Sequence, residues 1–250
     1  MEQIDGGLMA GRTVVVTGGT GGIGSAIVRR LRTNGYEVVF CGRDEQRAAA
    51  LERATGAVFY RADATDRAVC DASVAFALER LGRVDLFVAN AGVLIEGPLA
   101  ETTDEEFELL LETNLTSTFR YARALFEPMR HQSSGVMVLI ASDSAIRGSH
   151  RVPAYSVLKA AMVTLAELFG AEGAPYGIRA NAVCPGTTLP GMAGDDPADW
   201  RPTASGDFAT ADEVASAVAF LASRQAAHIN GATLRIDGGT GAALQAVTRG

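Results

Sequence analysis

The chain has 250 residues, of which 48% are hydrophobic and 20% charged, and its formal net charge is -7. This is the composition of an ordinary folded protein, and it excludes the disordered, collagen-like and disulfide-scaffold classes. The 22 basic residues are scattered among 29 acidic ones, so we expect no positive patch for nucleic acid or anionic membranes. Only one basic residue, Lys159, is a lysine.

Nothing in the chain predicts export or membrane insertion. The first ten residues contain Glu2 and Asp5 and no apolar run, unlike a signal peptide. No segment reaches the ~18 to 20 consecutive apolar residues of a membrane-spanning helix. The three cysteines are widely spaced, which is typical of free thiols in a reducing compartment, and the three histidines lack metal-ligand spacing. We therefore expect a cytoplasmic protein that binds no metal.

Short β-branched segments alternate with longer amphipathic ones from about Arg12 to the end. The predicted strands are Thr13–Thr17, Glu37–Cys41, Ala57–Arg61, Val84–Ala89, Gly135–Ala141, Ile178–Cys184 and Ala232–Ile236. The predicted helices are Gly22–Asn34, Glu45–Ala54, Asp66–Leu81, Asp104–Arg130, Ala154–Glu172 and Ala211–Ala222. This alternation predicts parallel βαβ units in a doubly wound α/β fold, a seven-stranded parallel sheet with helices on both faces. One domain over residues 1–250 is expected.

A segment rich in Gly, Pro and Asp, Leu189 to Gly206, lies between a predicted strand and a predicted helix. It is longer than the usual loop of ~2 to 6 residues, so it is interpreted as a short substrate lid, with a solvated loop as the alternative. Its distinctive side chains are Asp195, Asp196, Asp199, Trp200 and Arg201. This polar composition argues against a large steroid or a long acyl tail as the substrate.

A glycine-rich turn directly follows the first predicted strand and opens the first helix. It reads Thr17-Gly18-Gly19-Thr20-Gly21-Gly22-Ile23-Gly24. Glycines permit a tight turn and a close approach of a pyrophosphate, and the helix N-terminus supplies amide donors to that anion. The general GxGxxG pattern fits Gly19, Gly21 and Gly24, and its place after a strand indicates a dinucleotide-binding site.

The spacing Thr17-Gly18-x-x-x-Gly22-x-Gly24 resembles the cofactor turn of the short-chain dehydrogenase/reductase family, in its subfamily of about 250 residues. The resemblance spans nearly the whole chain. It implies a Rossmann-type fold and a nicotinamide dinucleotide cofactor. It also selects a set of cofactor-binding residues in this turn, namely Gly18, Thr20, Gly22, Ile23 and Gly24.

The end of the second predicted strand bears on the choice between NAD and NADP. An acidic residue here would bond a free ribose 2′-hydroxyl, whereas an arginine pairs with a 2′-phosphate. In the family pattern the acidic position falls on Gly42 and the next one on Arg43, a combination typical of NADP binders. Asp44, which lies 20 residues after Gly24, stays open as a ribose ligand, and NAD stays possible.

The resemblance implies further cofactor contacts after other strands. Asp63 and Ala64 follow the third strand, where relatives contact the adenine, although Asp63 is also suited to helix capping. The remaining predicted contacts are Asn90, Ala91, Gly92, Pro185, Gly186 and Thr188. Asn90 is either structural or adjacent to the cofactor. Relatives carry a threonine where this chain has Pro190, so Thr188 is the nearest candidate hydroxyl.

Tyr155 and Lys159 lie four residues apart and therefore share one face of a helix. A tyrosine ordinarily titrates near ~10, and an adjacent ammonium favours its ionised form, which would bring its pKa toward neutral pH. Alone, this spacing is common by chance. Ser142 ends a strongly apolar strand 13 residues earlier, and Asn114 lies within Glu112-Thr113-Asn114-Leu115. Both match the family's pattern.

The resemblance implies a catalytic tetrad of Asn114, Ser142, Tyr155 and Lys159. Tyr155 would exchange a proton with the carbonyl oxygen, and Ser142 would polarise that carbonyl. Lys159 would hold the nicotinamide ribose, so Tyr155 and Lys159 also count as cofactor-binding, and Asn114 would support a water chain to the lysine.

These residues predict an NADP-dependent ketoreductase acting on a small-molecule ketone or secondary alcohol. The alternatives are an NAD-dependent alcohol dehydrogenase working in the oxidative direction and a non-catalytic dinucleotide sensor. Substrate choice should come from Val93 to Glu96, from Ala145 to Val152 and from the lid. His150 and Arg151 are candidates to meet an anionic substrate, with a solvated loop as the alternative for both. The family also implies a homotetramer, or a homodimer.

Overall fold

The computed structural model describes residues 11–190, 192 and 202–241, so most of the predicted lid lies outside the described residues. The strands are β1 Thr13–Val16, β2 Glu37–Gly42, β3 Val58–Arg61, β4 Leu86–Ala89, β5 Gly135–Ile140, β6 Ile178–Pro185, β7 Thr188–Leu189, β8 Ala209–Thr210 and β9 Thr233–Ile236. The helices are α1 Gly22–Thr33, α2 Glu45–Thr55, α3 Arg67–Leu81, α4 Asp104–Leu110, α5 Ser117–His131, α6 Ser144–Arg147, α7 Pro153–Gly173 and α8 Ala211–Ala222.

Seven strands form one parallel sheet in the order β3-β2-β1-β4-β5-β6-β9, which confirms the predicted fold class. The chain crosses from one half of the sheet to the other between β3 and β4, so the strand order reverses beside β1. In open α/β sheets ligands bind at this reversal, outside the carboxyl ends of the strands. The topology therefore places the glycine turn after β1 at the expected binding edge.

Both faces of the sheet are covered by helices. On one face α1, α2 and α8 bury side chains such as Ile27, Leu51 and Val218 against the sheet. On the other face α3, α5 and α7 contribute a second apolar cluster that includes Leu125 and Met162. Because the central strands are enclosed on both sides, β1, β4 and β5 are buried over their whole length.

The predicted continuous helix Asp104–Arg130 is interrupted, so this prediction was wrong in detail. Helix α4 begins at a capping box, in which Thr103 and Glu106 bond each other's backbone N–H groups. A π-helical segment, Leu111–Thr116, then separates α4 from α5. Such single wide turns occur mostly at functional sites, because they change which side chains face inward. Asn114 lies within this turn.

A second, two-stranded parallel sheet, β7 with β8, was not predicted. It pairs Thr188 with Ala209 and Leu189 with Thr210, on either side of the segment interpreted as a lid. Thr210 also caps α8 through a box with Glu213, so the same residue ends the small sheet and starts a helix. The two ends of the segment 189–206 are therefore held close together.

The segment Pro153–Tyr176 is long and apolar enough to span a membrane by length and composition, which the sequence analysis did not anticipate. Half of its most apolar window is buried inside the protein, where α7 packs on β5 and β6. A buried core helix passes the same test, and this helix carries the polar side chains Tyr155 and Lys159. The observation is therefore weak evidence for a membrane span.

Candidate active site

The glycine turn between β1 and α1 has the geometry of a phosphate cradle. Gly18 has a φ of +64°, which favours glycine, and a Cβ there would lie 2.8 Å from the Ala91 Cα. A Cβ on Gly24 would lie 2.7 Å from the Asn90 Nδ2. Helix α1 has no side-chain cap and no acidic residue in its first turn, so its first backbone N–H groups remain open to an anion.

Thr17 and Asn90 join the ends of β1 and β4 beneath this turn. The Asn90 Nδ2 donates to the Gly18 carbonyl at 2.9 Å, and the backbone N–H of Asn90 and of Ala91 both donate to the Thr17 hydroxyl. Asn90 thus holds the turn in shape while it also lines the adjoining cleft. Both interpretations of Asn90 made from the sequence agree with this position.

A cleft of about 290 Å³ runs along the carboxyl edge of β1 to β4. It contains eleven of the predicted cofactor-binding residues: Gly18, Thr20, Gly22, Ile23, Gly24, Arg43, Asp63, Ala64, Asn90, Ala91 and Gly92. The turn after β1, the end of β2 and the segments after β3 and β4 supply them. Predicted contacts that are distant along the chain thus meet in one cleft.

Two arginines, Arg43 and Arg47, line the end of the cleft beside β2. Asp44 caps α2 by accepting the Arg47 backbone N–H at 2.9 Å, and its other oxygen lies 3.4 Å from the Arg47 Nε. Asp44 is not among the residues that line the cleft. A Cβ on Gly42 would lie 2.7 Å from the Thr20 Oγ1, so this position has no room for an acidic side chain without movement of Thr20.

Asp63 lines the same cleft, and its carboxylate accepts the backbone N–H and the hydroxyl of Thr65 at 3.0 and 2.9 Å. The backbone hydrogen bond from Thr65, together with the positive charge of Arg43, holds the pKa of Asp63 below its usual value. Capping of α3 falls to Asp66, which accepts from the N–H groups of the first turn. The capping role considered for Asp63 therefore belongs to Asp66.

Tyr155 and Lys159 occupy one buried face of α7, with exposed fractions of 6% and 2%. The Lys159 Nζ lies 5.3 Å from the centre of the Tyr155 ring and donates to the Ile140 carbonyl at 2.9 Å. Burial lowers the pKa of Lys159 to about 7. Burial also raises the pKa of Tyr155 and outweighs the hydrogen bond from Ser142 that lowers it.

The expected lowering of the Tyr155 pKa by Lys159 is therefore not found. The burial that stabilises the neutral phenol also disfavours the ammonium beside it, so the lysine contributes less positive charge than an exposed one would. At neutral pH Tyr155 is a protonated phenol, which is the form that donates a proton.

Ser142 follows β5 at the carboxyl edge of the sheet. Its hydroxyl donates to the Asp143 Oδ1 at 3.1 Å and accepts from the backbone N–H and the hydroxyl of Ser144 at 3.2 and 3.0 Å. It also lies within hydrogen-bonding reach of Tyr155. The structure thus brings together a serine hydroxyl and a phenol, as the sequence predicted.

Asn114 connects the π turn to the cleft. Its Nδ2 donates to the carbonyls of Val93 and Leu110, both at 3.0 Å, while its buried Oδ1 has no hydrogen-bond partner among the described residues. A Cβ on Gly92 would lie 2.7 Å from this oxygen and 3.5 Å from the Lys159 Nζ. Gly92, which lines the cleft, therefore joins it to the predicted tetrad.

The last predicted cofactor contacts, Pro185, Gly186 and Thr188, lie at the end of β6 and in β7 and are not among the residues that line the cleft. The Thr188 side chain is buried, and its hydroxyl donates to the Gly186 carbonyl at 2.8 Å. Its proton is thus already used, although its lone pairs remain as acceptors.

Polar residues of the cleft that were not among the predicted contacts include Arg47, Thr113 and Tyr121. Arg47 lies four residues after Arg43, a spacing that places both on one side of the first turn of α2 and was available in the sequence. Thr113 carries a buried hydroxyl that lines the cleft and has no partner among the described residues. No sequence signal distinguishes Thr113, because its orientation depends on the π turn.

The residues present fit a nicotinamide dinucleotide. Side chains at Gly18 and Gly24 would collide with Ala91 and Asn90 and deform the turn that lines the cleft. The Thr113 Oγ1 and Asn114 Oδ1 are buried polar atoms in need of partners. By contrast, the described part of the chain contains no group of three or more His, Cys, Asp or Glu that could hold a metal ion.

The predicted substrate segments meet beside this site. Arg151, before α7, forms an ion pair with Glu96 at 2.8 Å, and its carbonyl accepts the Gly97 backbone N–H at 3.1 Å. The guanidinium of Arg151 is therefore already paired with a carboxylate, which a substrate anion would have to displace. His150 is exposed. The lid residues Asp195 to Arg201 lie outside the described residues.

Comparison with known proteins agrees with this geometry. A family model described as enoyl-(acyl carrier protein) reductase matches residues 18–241. The 3-alpha-(or 20-beta)-hydroxysteroid dehydrogenase of Mycobacterium tuberculosis is 33% identical over 240 residues, 95% of this chain and 92% of the relative. Levodione reductase of Leifsonia aquatica is 35% identical over 255 residues, 93% and 95% of the two chains.

Among solved structures, a 3-ketoacyl-(acyl-carrier-protein) reductase from Brucella melitensis complexed with NADH superimposes with a TM-score of 0.88 at 28% identity, over 93% of this chain and 99% of the other. The fold and site thus define a dinucleotide-dependent oxidoreductase. The chain belongs to the short-chain dehydrogenase/reductase family.

Proposed function

We propose that this protein is an NADPH-dependent ketoreductase that reduces a small ketone to a secondary alcohol. The observation that carries the proposal is the buried Tyr155–Lys159 pair, which adjoins both the Ser142 hydroxyl and the cleft at Gly92. The names of the three relatives cited above refer to hydroxyl or ketone substrates, which supports the same type of reaction here.

A nicotinamide dinucleotide held along the cleft supplies the hydride. The pyrophosphate would lie on Gly18, Gly22 and Gly24 at the start of α1, where backbone N–H groups and the helix dipole favour an anion. Asp63 and Ala64 would contact the adenine. Lys159 would reach the nicotinamide ribose beside Gly92, where a Cβ would lie 3.5 Å from the Lys159 Nζ.

The protein's own part in the reaction is to polarise the carbonyl and deliver a proton. Ser142 Oγ would donate a hydrogen bond to the carbonyl oxygen, which stabilises the negative charge that develops there. The Tyr155 phenol, kept protonated by its burial, would donate its proton to the same oxygen. Lys159 and a water chain supported by the unpaired Asn114 Oδ1 would then return a proton to Tyr155.

The preference for NADPH rests on Arg43. Its exposed side chain lines the cleft beside Gly42 and Thr20, and it forms no ion pair among the described residues. Asp44, the candidate ribose ligand, is engaged by the backbone and side chain of Arg47. A 2′-phosphate would therefore meet a guanidinium fork and no free carboxylate from this turn.

Substitution of Arg43 by alanine tests this preference. Arg43→Ala should weaken NADPH binding by about tenfold or more, because a charge-assisted hydrogen bond contributes roughly 1.5–3 kcal/mol, and should leave NADH binding nearly unchanged. Both dissociation constants can be measured by fluorescence of the bound reduced cofactor.

A matched control is Arg61→Ala. Arg61 is an exposed arginine at the end of the neighbouring strand, β3. It pairs with Glu45 at 2.8 Å and does not line the cleft. Because an exposed ion pair contributes little to stability, loss of Arg61 should change NADPH affinity less than about twofold. A wild-type preference for NADH, or equal losses for both cofactors in Arg43→Ala, would contradict the assignment. It would favour an NAD-dependent dehydrogenase, to which the NADH complex of the Brucella relative points.

We also propose that residues 1–250 form one domain with a substrate lid near 189–206 and that the protein is cytoplasmic. Support for the lid comes from β7 and β8, which hold both of its ends beside the end of β6. The ion pair of Arg151 with Glu96 would form the opposite wall of the substrate site.

A homotetramer, or a homodimer, is proposed from the exposed apolar side chains of α4, α5 and α7. Phe107 and Phe119 are 36% and 40% exposed, and Val157 and Leu168 are 55% and 62% exposed. Large apolar side chains that face solvent on adjacent helices are typical of subunit interfaces. Sedimentation velocity should show an assembly that Leu168→Glu weakens; a wild-type monomer at micromolar concentration would contradict the proposal.

The activity itself can be tested with a panel of ketones and secondary alcohols, each with NADPH and NADH. We expect oxidation of NADPH with at least one ketone. Binding of the dinucleotide without turnover of any compound would instead indicate a sensor.

A further inference from the structure

The single proton of the Ser142 hydroxyl is already engaged by Asp143. It accepts two hydrogen bonds, from the N–H and the hydroxyl of Ser144, and donates to the Asp143 Oδ1 at 3.1 Å. A serine hydroxyl has one proton, so Ser142 cannot donate it fully to Asp143 and to a second acceptor at the same time. In the reaction proposed above, the same proton must point at the carbonyl oxygen. Asp143 therefore competes with the substrate for it.

The surroundings of Asp143 make this competition dependent on its charge. Its backbone N–H donates to the Pro185 carbonyl at 2.8 Å, which fixes the residue between the ends of β5 and β6. The other titratable groups that face it are Asp237 after β9, Tyr155 on α7 and Cys184 on β6. The positive charge of Lys159 lowers the pKa of the Cys184 thiol, but none of the ion pairs among the described residues involves Asp143.

Among the residues that the structure describes, no ion pair therefore offsets the charge of this partly buried carboxylate. Burial raises the pKa of Asp143, and the charge of Asp237 raises it further, whereas the hydrogen bonds from Ser142 and the Ser144 N–H lower it. The protonated form of Asp143 is consequently more accessible than that of an ordinary surface aspartate.

Building on the proposed ketoreductase function, we propose that Asp143 is a positioning residue that decides where the Ser142 proton points. As a carboxylate, Asp143 holds that proton through a charge-assisted hydrogen bond and withholds it from the carbonyl oxygen. As a carboxylic acid, it accepts only weakly, so the Ser142 hydroxyl can turn toward the substrate. Ketone reduction should therefore slow as the pH rises through the titration of Asp143.

Two variants without this charge test the inference. Asp143→Asn keeps a neutral side chain of the same shape, and Asp143→Ala removes the acceptor. For each, the ratio of its kcat to that of the wild type should rise with pH as Asp143 ionises in the wild type. It should reach about tenfold, the usual effect of one charge-assisted hydrogen bond. The titration of Lys159 is shared by both proteins and cancels in this ratio, whereas loss of the Asp143 charge lowers the pKa of Tyr155, so the ratio is read over the pH range in which Asp143 itself ionises.

The neighbouring carboxylate provides a matched control. Asp237 accepts the backbone N–H groups of Gly239 and Gly241 and does not bond Ser142. Asp237→Asn should therefore keep the wild-type form of the pH profile and move its falling limb to lower pH, because a charge that raises the Asp143 pKa has been removed.

A second readout needs no turnover. Infrared difference spectra of the wild type minus Asp143→Asn, recorded against pH, report the protonated carboxyl band of Asp143. Since the Ser142 hydrogen bond favours the charged form, Ser142→Ala should move the midpoint of this band to higher pH. An unmoved midpoint would overturn the inference.

The outcomes separate the inference from the function on which it rests. Turnover with a pH-independent kcat ratio would overturn the role of Asp143 and leave the ketoreductase standing. Absence of turnover in the wild type and in every variant would contradict the ketoreductase and the role of Asp143 with it. A ratio that rises over the pH range of the infrared titration supports both.

Discussion

Tyr155→Phe is expected to lower kcat for ketone reduction by about a thousandfold or more while NADPH still binds. The substitution removes one oxygen atom from a side chain that is 6% exposed, so the packing of α7 is kept and only the proton donor is lost. General acid catalysis contributes roughly 10² to 10⁴-fold to a rate. The measurement is single-turnover oxidation of NADPH at a saturating ketone concentration, with cofactor affinity measured in parallel.

Tyr36→Phe is the matched control. Tyr36 is as buried as Tyr155, with an exposed fraction of 1%, and it lies just before β2, at the edge of the sheet opposite the cleft. Its hydroxyl is hydrogen-bonded to Arg12. Its loss should affect stability more than rate, by about 1 kcal/mol for one buried hydrogen bond. Retention of most of the activity in Tyr155→Phe would show that another group delivers the proton.

Lys159→Arg is expected to lower kcat by about a hundredfold or more and to destabilise the fold. Burial brings the pKa of Lys159 to about 7, so this side chain can lose its proton near neutral pH, whereas an arginine stays charged. The site is 2% exposed and enclosed by Ile140 and Met162, with donor distances of 2.9 and 3.4 Å, which leaves no room for the wider guanidinium. Chemical denaturation and steady-state kinetics measure the two effects.

Lys159→Met separates charge from geometry. It keeps the length of the side chain and adds no buried charge, so it should be at least as stable as Lys159→Arg while it also lacks activity. If Lys159→Arg were as active as the wild type, a positive charge alone would suffice at this position. The proposed role of Lys159 at the ribose and in proton return would then be wrong.

The parts of the site that depend on local backbone geometry were predictable from the sequence. Only glycine fits at Gly18 and Gly24, because the turn lies close to Asn90 and Ala91. The spacing of these glycines is therefore visible in the sequence. Tyr155 and Lys159 were predictable for the same reason, since a separation of four residues on a helix fixes their relative positions. The parallel, doubly wound sheet followed from the alternation of strands and helices.

The parts that depend on tertiary packing were not predictable. The amphipathic pattern of residues 104–131 has an ordinary helical period, and nothing in it reveals the π turn that buries Asn114 and Thr113. The pKa of Tyr155 was misjudged because an adjacent ammonium is visible in a sequence while the burial of both groups is not. The hydrogen bond from Ser142 to Asp143 depends on side-chain rotamers, which the sequence does not specify.

Hydride transfer to a ketone, with Tyr155 as the proton donor, is the reaction proposed for this protein. It is tested by incubating the protein with a ketone from the panel and NADPH that carries deuterium at both hydrogen positions of the nicotinamide C4, followed by mass spectrometry of the alcohol. We expect one deuterium on the carbinol carbon with the wild type and almost no alcohol with Tyr155→Phe. Alcohol without deuterium, or equal yields from the two proteins, would contradict it.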